Sequence, residues 1–476
     1  MKWIFALLLV SLSISAFSQG KKPNILLIIS DDLTTSALGA YGNSLMKTPA
    51  IDQLAKEGFL FENTYSQYPV CGPSRASFMF GYYPTATQTY GYVSGREQVG
   101  PSKKSMAQFF KEKGYYTARV SKIFHMGVPI DIENGSDGTD DPDSWTERFN
   151  SQGPEWKSSG SAELVQNNPE GTIERKGGNV MTLVQSEGGD LAQSDGKTAQ
   201  KVIELIRQHK NEPFFLAVGL VRPHVPFVAP KEYFEPYPWE KIVPPPVITG
   251  DWEDIPEKGI NYVTTQNSEM SYAQKQKAIA AYYASVSFMD AQVGKILAAL
   301  KAEGLEENTI VIFTSDHGFH LGEHDFWMKV SLKEESVKVP LIIRAPGISP
   351  GKSSAFAELV DLYPTLLDLS GFQKAQELQG KSLVPILKGQ EDSVRDFAFS
   401  VTQDGNTYLI RTERWAFIQY GKTGEHGLEL FDMYQDPGQF TNLAKLDTFQ
   451  SVVNDMQGLL AKKIAEVRQN DLGKTY

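Results

Sequence analysis

Asn24-Ile-Leu-Leu-Ile-Ile-Ser30 is an unbroken apolar run rich in β-branched residues, and Asp31-Asp32 follow it directly. Such a run, with no alternation of polar residues, predicts a strand buried on both faces of a parallel sheet. Open α/β sheets bind ligands at the carboxyl ends of their strands, where these two acids stand. Adjacent carboxylates repel, and a bound divalent cation relieves the repulsion. An N-cap beside one solvated acid is the commoner fate of an isolated Asp-Asp pair. A second run decides between them: Thr309-Ile-Val-Ile-Phe-Thr-Ser315 also reads as a buried strand and ends in Asp316-His317-Gly318. Two strands with acids at the same end can converge on one hard cation, and calcium takes about six to eight oxygen ligands.

Outward from these strands the chain alternates in α/β fashion. Thr48-Pro49 predicts a helix start, with Thr48 as N-cap and Pro49 at the first helical position, running to Gly58. Tyr116 to Val120 reads as a strand leading into Ser121-Lys122-Ile123-Phe124-His125. Pro213 to Leu220 is another strand, followed by Arg222-Pro223-His224-Val225-Pro226-Phe227, whose two prolines fix an extended loop presenting His224. Lys275 to Gly304 carries a helical apolar stripe, read as core. Gly318 to Lys329 is dense in His, Trp and Lys, which suits a pocket wall, although aromatic clusters are more often packing. Residues 127–195 are rich in Gly, Ser, Asp and Asn and weakly periodic, and are expected to be a surface excursion at the rim. From about residue 390, strands of period two at 397–401, 407–411 and 415–420 and a helix at 446–468 predict a small α+β domain, an antiparallel sheet packed on a helix.

Composition bounds the function. The chain of 476 residues is 41% hydrophobic and 22% charged, an ordinary globular balance. Its 46 basic and 57 acidic residues give a net charge of −11, which argues against a nucleic-acid partner. Lys2 and the apolar stretch Trp3–Phe17 read as a cleavable signal peptide over 1–19, too short and serine-rich for a span. An exported protein is expected, periplasmic or secreted, without a membrane span.

The chain has one cysteine, so no internal disulfide is possible. A lone Cys is usually a small buried hydrophobe. Here Cys71-Gly72-Pro73-Ser74-Arg75 opens a predicted helix that stops at Gly81, which puts Cys71 at a helix N-terminus, where free N–H groups favour an anion. Arg75, one turn on, adds a fork of donors suited to an oxyanion.

This stretch resembles the Cys-x-Pro-Ser-Arg signature of the type I sulfatases, and Asp31-Asp32 and Ser315-Asp316-His317-Gly318 match the same family. The resemblance extends over nearly the whole mature chain. It implies an alkaline-phosphatase-like α/β/α sandwich over 22–389 and a small C-terminal domain over 390–476. It implies that Cys71 is oxidised to formylglycine by a maturation enzyme, and that its hydrated aldehyde attacks sulfur. Asp31, Asp32, Asp316 and His317 then bind one calcium ion, completed by residue 71; a histidine ligand is unusual for calcium on chemical grounds. By the same resemblance His125 is the base that expels sulfate, His224 the acid for the leaving alcohol, and Lys122 and Lys329 hold the sulfate, while Arg75 neutralises charge on the sulfuryl oxygens. Ser121 departs from the family's Gly-Lys-x-x-His pattern, which bears on the turn.

Ser121-Lys-Ile-Phe-His125, Arg222 to Phe227 and Leu321-Gly-Glu-His-x-x-Trp-x-Lys329 look most like the iduronate-2-sulfatase branch. The expected substrate is therefore a uronic-acid 2-sulfate at the end of a polysaccharide, with His320, His324 and Trp327 meeting the sugar. Other sulfated algal glycans, aryl or choline sulfates and a phosphonate hydrolase of the same superfold stay open. So does a non-catalytic binder of sulfated glycan, should Cys71 stay unmatured.

Overall fold

The computed structural model describes residues 22–165, 181–260, 270–374 and 376–476; the expected signal peptide lies outside them. In chain order the elements that build the site are β1 (Asn24–Asp31), α1 (Pro49–Glu57), β2 (Phe59–Tyr65), α2 (Cys71–Phe80), β3 (Tyr116–Ser121), β4 (Glu147–Phe149), β5 (Gly160–Leu164), β6 (Thr182–Ser186), α3 (Ser194–His209), β7 (Phe214–Pro223) and β8 (Phe227–Pro230). They continue with α4 (Tyr272–Ala302), β9 (Thr309–Ser315), β10 (His320–Leu321), β11 (Trp327–Met328), β12 (Lys338–Arg344), β13 (Gly351–Glu358) and α5 (Leu362–Leu369). β14 (Phe397–Thr402), β15 (Thr407–Thr412), β16 (Trp415–Tyr420), β17 (Leu428–Asp432) and α6 (Gln450–Arg468) follow.

The main sheet has eight strands in the order β13-β2-β12-β9-β1-β7-β3-β4. β9, β1, β7, β3 and β4 are mutually parallel, whereas β12 runs antiparallel to β9 and β2. β1 is central, and each of its residues is buried. Its side chains divide between two cores: Ile25, Leu27 and Ile29 pack with α2, α5 and the C-terminal elements, and Leu26 and Ile28 with α3 and α4. Helices on both faces leave no solvated side, which is why the strand reads as a continuous apolar run. Across the register Ser30 pairs with Ser315, and Asp31 with Pro223. The residues just beyond β1, β9, β7 and β3 therefore reach the same sheet edge.

The C-terminal segment forms the antiparallel sheet β14-β15-β16-β17, with α6 on it. β17 adds a fourth strand to the three expected from the period-two pattern.

Two expectations change. Thr48 does not cap α1 with its side chain; instead Asp290 on α4 accepts from the Ala50 and Ile51 N–H groups at 3.1 and 2.8 Å. The orphan donors of a helix start are thus satisfied from across the core. The 127–195 insert is also more than a surface excursion. It supplies β4 to the main sheet and β5 and β6 to a small sheet with β8, and it buries Trp145, Glu155 and Asp195. Its many polar residues hid these contributions because they are spent on internal hydrogen bonds.

Candidate active site

α2 begins at Cys71, which puts that side chain at the helix N-terminus, and ends at Gly81, whose φ of 78° is the left-handed stop that glycine favours. Cys71 Sγ lies 3.2 Å from His317 Nε2, 3.2 Å from Lys329 Nζ and 3.8 Å from Asp32 Oδ1. Four strand ends deliver its neighbours: β1 brings Asp31 and Asp32, β9 brings Asp316 and His317, β3 brings Lys122, and β7 leads into His224.

Arg75 is shared by two of the acids, and Lys329 holds the third. Asp31 Oδ1 receives Arg75 Nη2 at 3.1 Å and Asp31 Oδ2 receives Lys122 Nζ at 2.5 Å. Asp316 Oδ2 receives Arg75 Nε at 2.8 Å, and its Oδ1 accepts the backbone N–H groups of Asp32 and His317. Asp32 Oδ1 receives Lys329 Nζ at 2.7 Å. Asp32 itself turns with φ 64°, and Tyr282 on α4 donates to its carbonyl at 2.6 Å, bracing the bend.

The electrostatics follow from this pairing. Burial pushes Asp31 up, but Lys122, His224 and Arg75 outweigh it and hold the carboxyl well below its usual range. Burial also acts on Asp32, where the pull of Lys329 and His317 is opposed by Asp31 and Asp316, so Asp32 is raised. The Cys71 thiol is raised well above its ordinary value, by burial first and then by Asp31. An unmodified thiol here is protonated and a poor nucleophile. Burial disfavours the Lys329 ammonium, yet Asp32 and Cys71 prevail and raise it.

Three carboxylates face three cations (Arg75, Lys122 and Lys329), so charge alone does not call for a metal. The donor set does. Asp32 Oδ2 is buried and has no hydrogen-bond partner among the described residues. His317 gives its Nδ1 proton to the Gly318 carbonyl at 3.0 Å, which turns the Nε2 lone pair toward Cys71, Asp32 and Asp316. Fixing one ring nitrogen to aim the other is how proteins prepare a histidine ligand. Asp31, Asp32, Cys71 and His224 form one set of donor atoms within 4.8 Å of one another, and Cys71, Asp316 and His317 a second. These residues fit a divalent cation.

The structure places three of the expected groups differently from the simplest expectation. Arg75 is fully buried, and its donors go to Asp31, Asp316 and the Lys122 and Ile123 carbonyls. It clamps the two acids from behind instead of meeting an oxyanion. Lys122 and Lys329, expected to hold the sulfate, pair with Asp31 and Asp32 in this structure. The stretch from His320 to Trp327 is not a wall of the site. Trp327 is 0% exposed, His320 packs edge-on to Phe326, and His324 pairs with Asp251 at 2.9 Å. Trp327, opposite Leu321 across the β10-β11 hairpin, packs with it in the core on the α4 side.

The histidines differ in exposure. His125 is half-buried and stacks on Tyr92, with ring centroids 4.1 Å apart. Burial, then Lys122, lowers it to about 2, so it is neutral. His224 is buried, with Nδ1 2.6 Å from the Val225 carbonyl and Nε2 3.8 Å from Asp32 Oδ2. Burial, then Lys329, holds it well below the usual imidazole range. Its loop is anchored from the insert: Arg222 pairs with Glu155, and Asp195 accepts the Val221 and Arg222 N–H groups.

Besides the turn flagged at Ser121, two contributors, Gly219 and Tyr92, went unread in the sequence. Ser121 sits at φ 64°, so the turn keeps the glycine-like conformation that its residue type departs from. A Cβ on Gly219 would lie 2.1 Å from the Lys122 carbonyl oxygen, so a bare glycine lets β3 and β7 close at Lys122. A glycine inside an apolar strand is the signal that could have shown this close approach. Tyr92 carried no such signal.

Comparison with known proteins places this arrangement. The family model described as Sulfatase matches residues 23–372. The chain belongs to the sulfatase family. Residues 322–468 match the model for the C-terminal part of N-sulphoglucosamine sulphohydrolase. A sulfatase of Formosa agariphila is 31% identical over 93% of this chain and 87% of its own. Human iduronate 2-sulfatase is 37% identical over 74% of this chain and 69% of its own. Among solved structures, the phosphonate monoester hydrolase of Agrobacterium radiobacter shares the fold with a TM-score of 0.75 at 22% identity, covering 94% of this chain and 96% of that one. This sulfatase is a sulfuric ester hydrolase with the alkaline-phosphatase-like architecture, and it resembles the iduronate-2-sulfatase branch. No helix among its described residues is long and apolar enough to cross a membrane.

Proposed function

We propose that this sulfatase removes a 2-O-sulfate from a uronic acid at the end of a saccharide chain, with residue 71 matured to formylglycine and one calcium ion held by Asp31, Asp32, Asp316 and His317. The observation that carries the reading is the position of the chain's one cysteine, at a helix N-terminus and within 3.2 Å of both His317 and Lys329. A thiol kept protonated by burial gains nothing from that position, whereas a hydrated aldehyde gains donors and acceptors on every side. The 37% identity to human iduronate 2-sulfatase supports the choice of sugar.

When bound, calcium supplies a fixed positive charge that draws electrons from the sulfuryl oxygens. The chain's residues do the rest. Arg75 holds Asp31 and Asp316 at one spacing, so the acids need not reorganise as charge moves. His125, at the open edge, is neutral but a weak base while burial and Lys122 hold it low; the anionic ester raises its affinity for the proton it takes from residue 71. His224 must carry a proton on Nε2 to serve the leaving alcohol, and a bound sulfate ester, being anionic, raises its affinity for one. Lys122 and Lys329 reach the site on long flexible stems and can turn from Asp31 and Asp32 to the ester oxygens. Residues 1–19 support export to the periplasm or the medium, which N-terminal sequencing of the mature protein checks.

A panel of defined sulfated oligosaccharides, with products identified by mass spectrometry, tests the substrate. Loss of sulfate from 2-O-sulfated uronates at the chain end is the expected result. Turnover confined to 6-O- or N-sulfated sugars, or to aryl or choline sulfate, contradicts it.

A further inference from the structure

With Trp327 buried, the aromatic surface at the mouth of this site belongs to another residue. Tyr92 is 56% exposed, and one face of its ring lies on the half-buried His125, 4.1 Å between centroids and 19° from parallel. Its position is fixed by the chain around it. A Cβ on Gly72 would meet Tyr92 Cδ1 at 3.1 Å and the Gly91 carbonyl at 2.9 Å, so the residue after Cys71 leaves room for this segment to lie across the start of α2. On one side Tyr90 stacks with Tyr68 and presses on Gly405 of the C-terminal sheet; on the other Gly95 packs against Ala76 and Phe80 of α2. Residues 91–94 are thus a strap pinned at both ends, with Tyr92 and Val93 exposed between.

We propose that Tyr92 is a specificity-determining residue that receives the saccharide carrying the sulfate, its solvent-exposed ring stacking on the C–H face of the sugar. The nucleophile, the acids and Arg75 are buried, so a substrate meets them only through its sulfuryl group. The groups attached to that sulfate must rest on what surrounds the opening, and Tyr92 offers there a flat apolar face with a polar edge. A ring held against His125 from below has little freedom left to lose when a sugar settles on it.

This inference rests on the reading that the substrate is a sulfated saccharide, not on which sugar it is. The test compares Tyr92→Ala and Tyr92→Phe with the parent enzyme. Two quantities are read: KM for the best saccharide from the panel, and Ki for inorganic sulfate, which meets only the sulfuryl end. Tyr92→Ala is expected to raise KM about tenfold with Ki within about twofold, and Tyr92→Phe to stay within about threefold in both. KM and Ki rising together in Tyr92→Ala would mean the ring only steadies His125, and an unchanged KM would mean that no sugar touches it; either overturns the proposal. If the parent enzyme turns over a different sulfated sugar, the choice of uronate fails while this comparison still stands. If it turns over no saccharide at all, both fail.

Discussion

The end of β9 and the loop leaving it draw on the same residue types and put them to opposite uses. Asp316 and His317 face the ends of β1 and α2, where Asp316 meets Arg75 and backbone N–H groups and His317 Nε2 meets Cys71 and Asp32. A few residues on, His320, His324 and Trp327 turn into the core, and both His320 ring nitrogens and Trp327 Nε1 lack hydrogen-bond partners among the described residues. The difference lies in backbone constraint. A residue at the carboxyl end of a central parallel strand has one direction left to point. A residue in the following loop can present an aromatic ring to solvent or to the core with the same sequence pattern.

Removing a charge from the first region should have the largest effect. Asp31→Asn is expected to lower kcat/KM by about a thousandfold or more and to remove bound metal at the same time. Metal content by elemental analysis, alongside activity, reads both. Activity lost while a full equivalent of metal stays bound would separate the cluster from the cation and break the first half of the comparison.

The second region answers to packing. Trp327→Ala is expected to destabilise the protein by about 3–5 kcal/mol, through lost burial and the cavity left behind. Turnover of a sulfated saccharide and of a small alkyl sulfate should fall by the same factor. A selective loss of saccharide turnover with an unchanged melting temperature would restore Trp327 to the site and reverse the contrast drawn here.

What could be read in the sequence divides along this same line. β1, β9, β3, β7, the start and stop of α2 and the acids between them were legible because burial on both faces demands apolar runs and strand ends fix position. The expected β3 and β7 differ from those observed only in extent, and Asp31, Asp32, Cys71, Asp316 and His317 do converge. The orientation of Arg75 was not legible, since a guanidinium one turn into a helix can point toward a ligand or clamp two acids from behind. Nor was the anchoring of the His224 loop by Glu155 and Asp195, because contacts across such separations leave no local pattern. Thr48 misled for a related reason: its cap position is local, but Asp290 from α4 took the work.

Asp290 sharpens the comparison from outside both regions. Asp31 is buried beside Lys122 and Arg75 and held low, whereas Asp290, which has no ion pair among the described residues, is pushed up to about 7, by burial against the hydrogen bonds from Ile51 and Ala50. Between about 4 and 7 the folded state holds this proton and the unfolded state does not, so stability falls as pH rises through that window and levels off above it. The slope from this group is at most about 1.4 kcal/mol per pH unit. Asp290→Asn should flatten it in denaturant unfolding followed across this range. A mutant with the parent's slope would show that Asp290 is ionised throughout.

The central claim is that residue 71 works as an aldehyde at the meeting point of β1, β9 and α2. Mass analysis of the peptide containing residue 71, taken from enzyme of known specific activity, tests it most directly. The account predicts that the sulfur is replaced by a carbonyl oxygen in a fraction of molecules that tracks activity from one preparation to the next, and that Cys71→Ala is folded and inert. Fully active enzyme with an intact Cys71 thiol would contradict it.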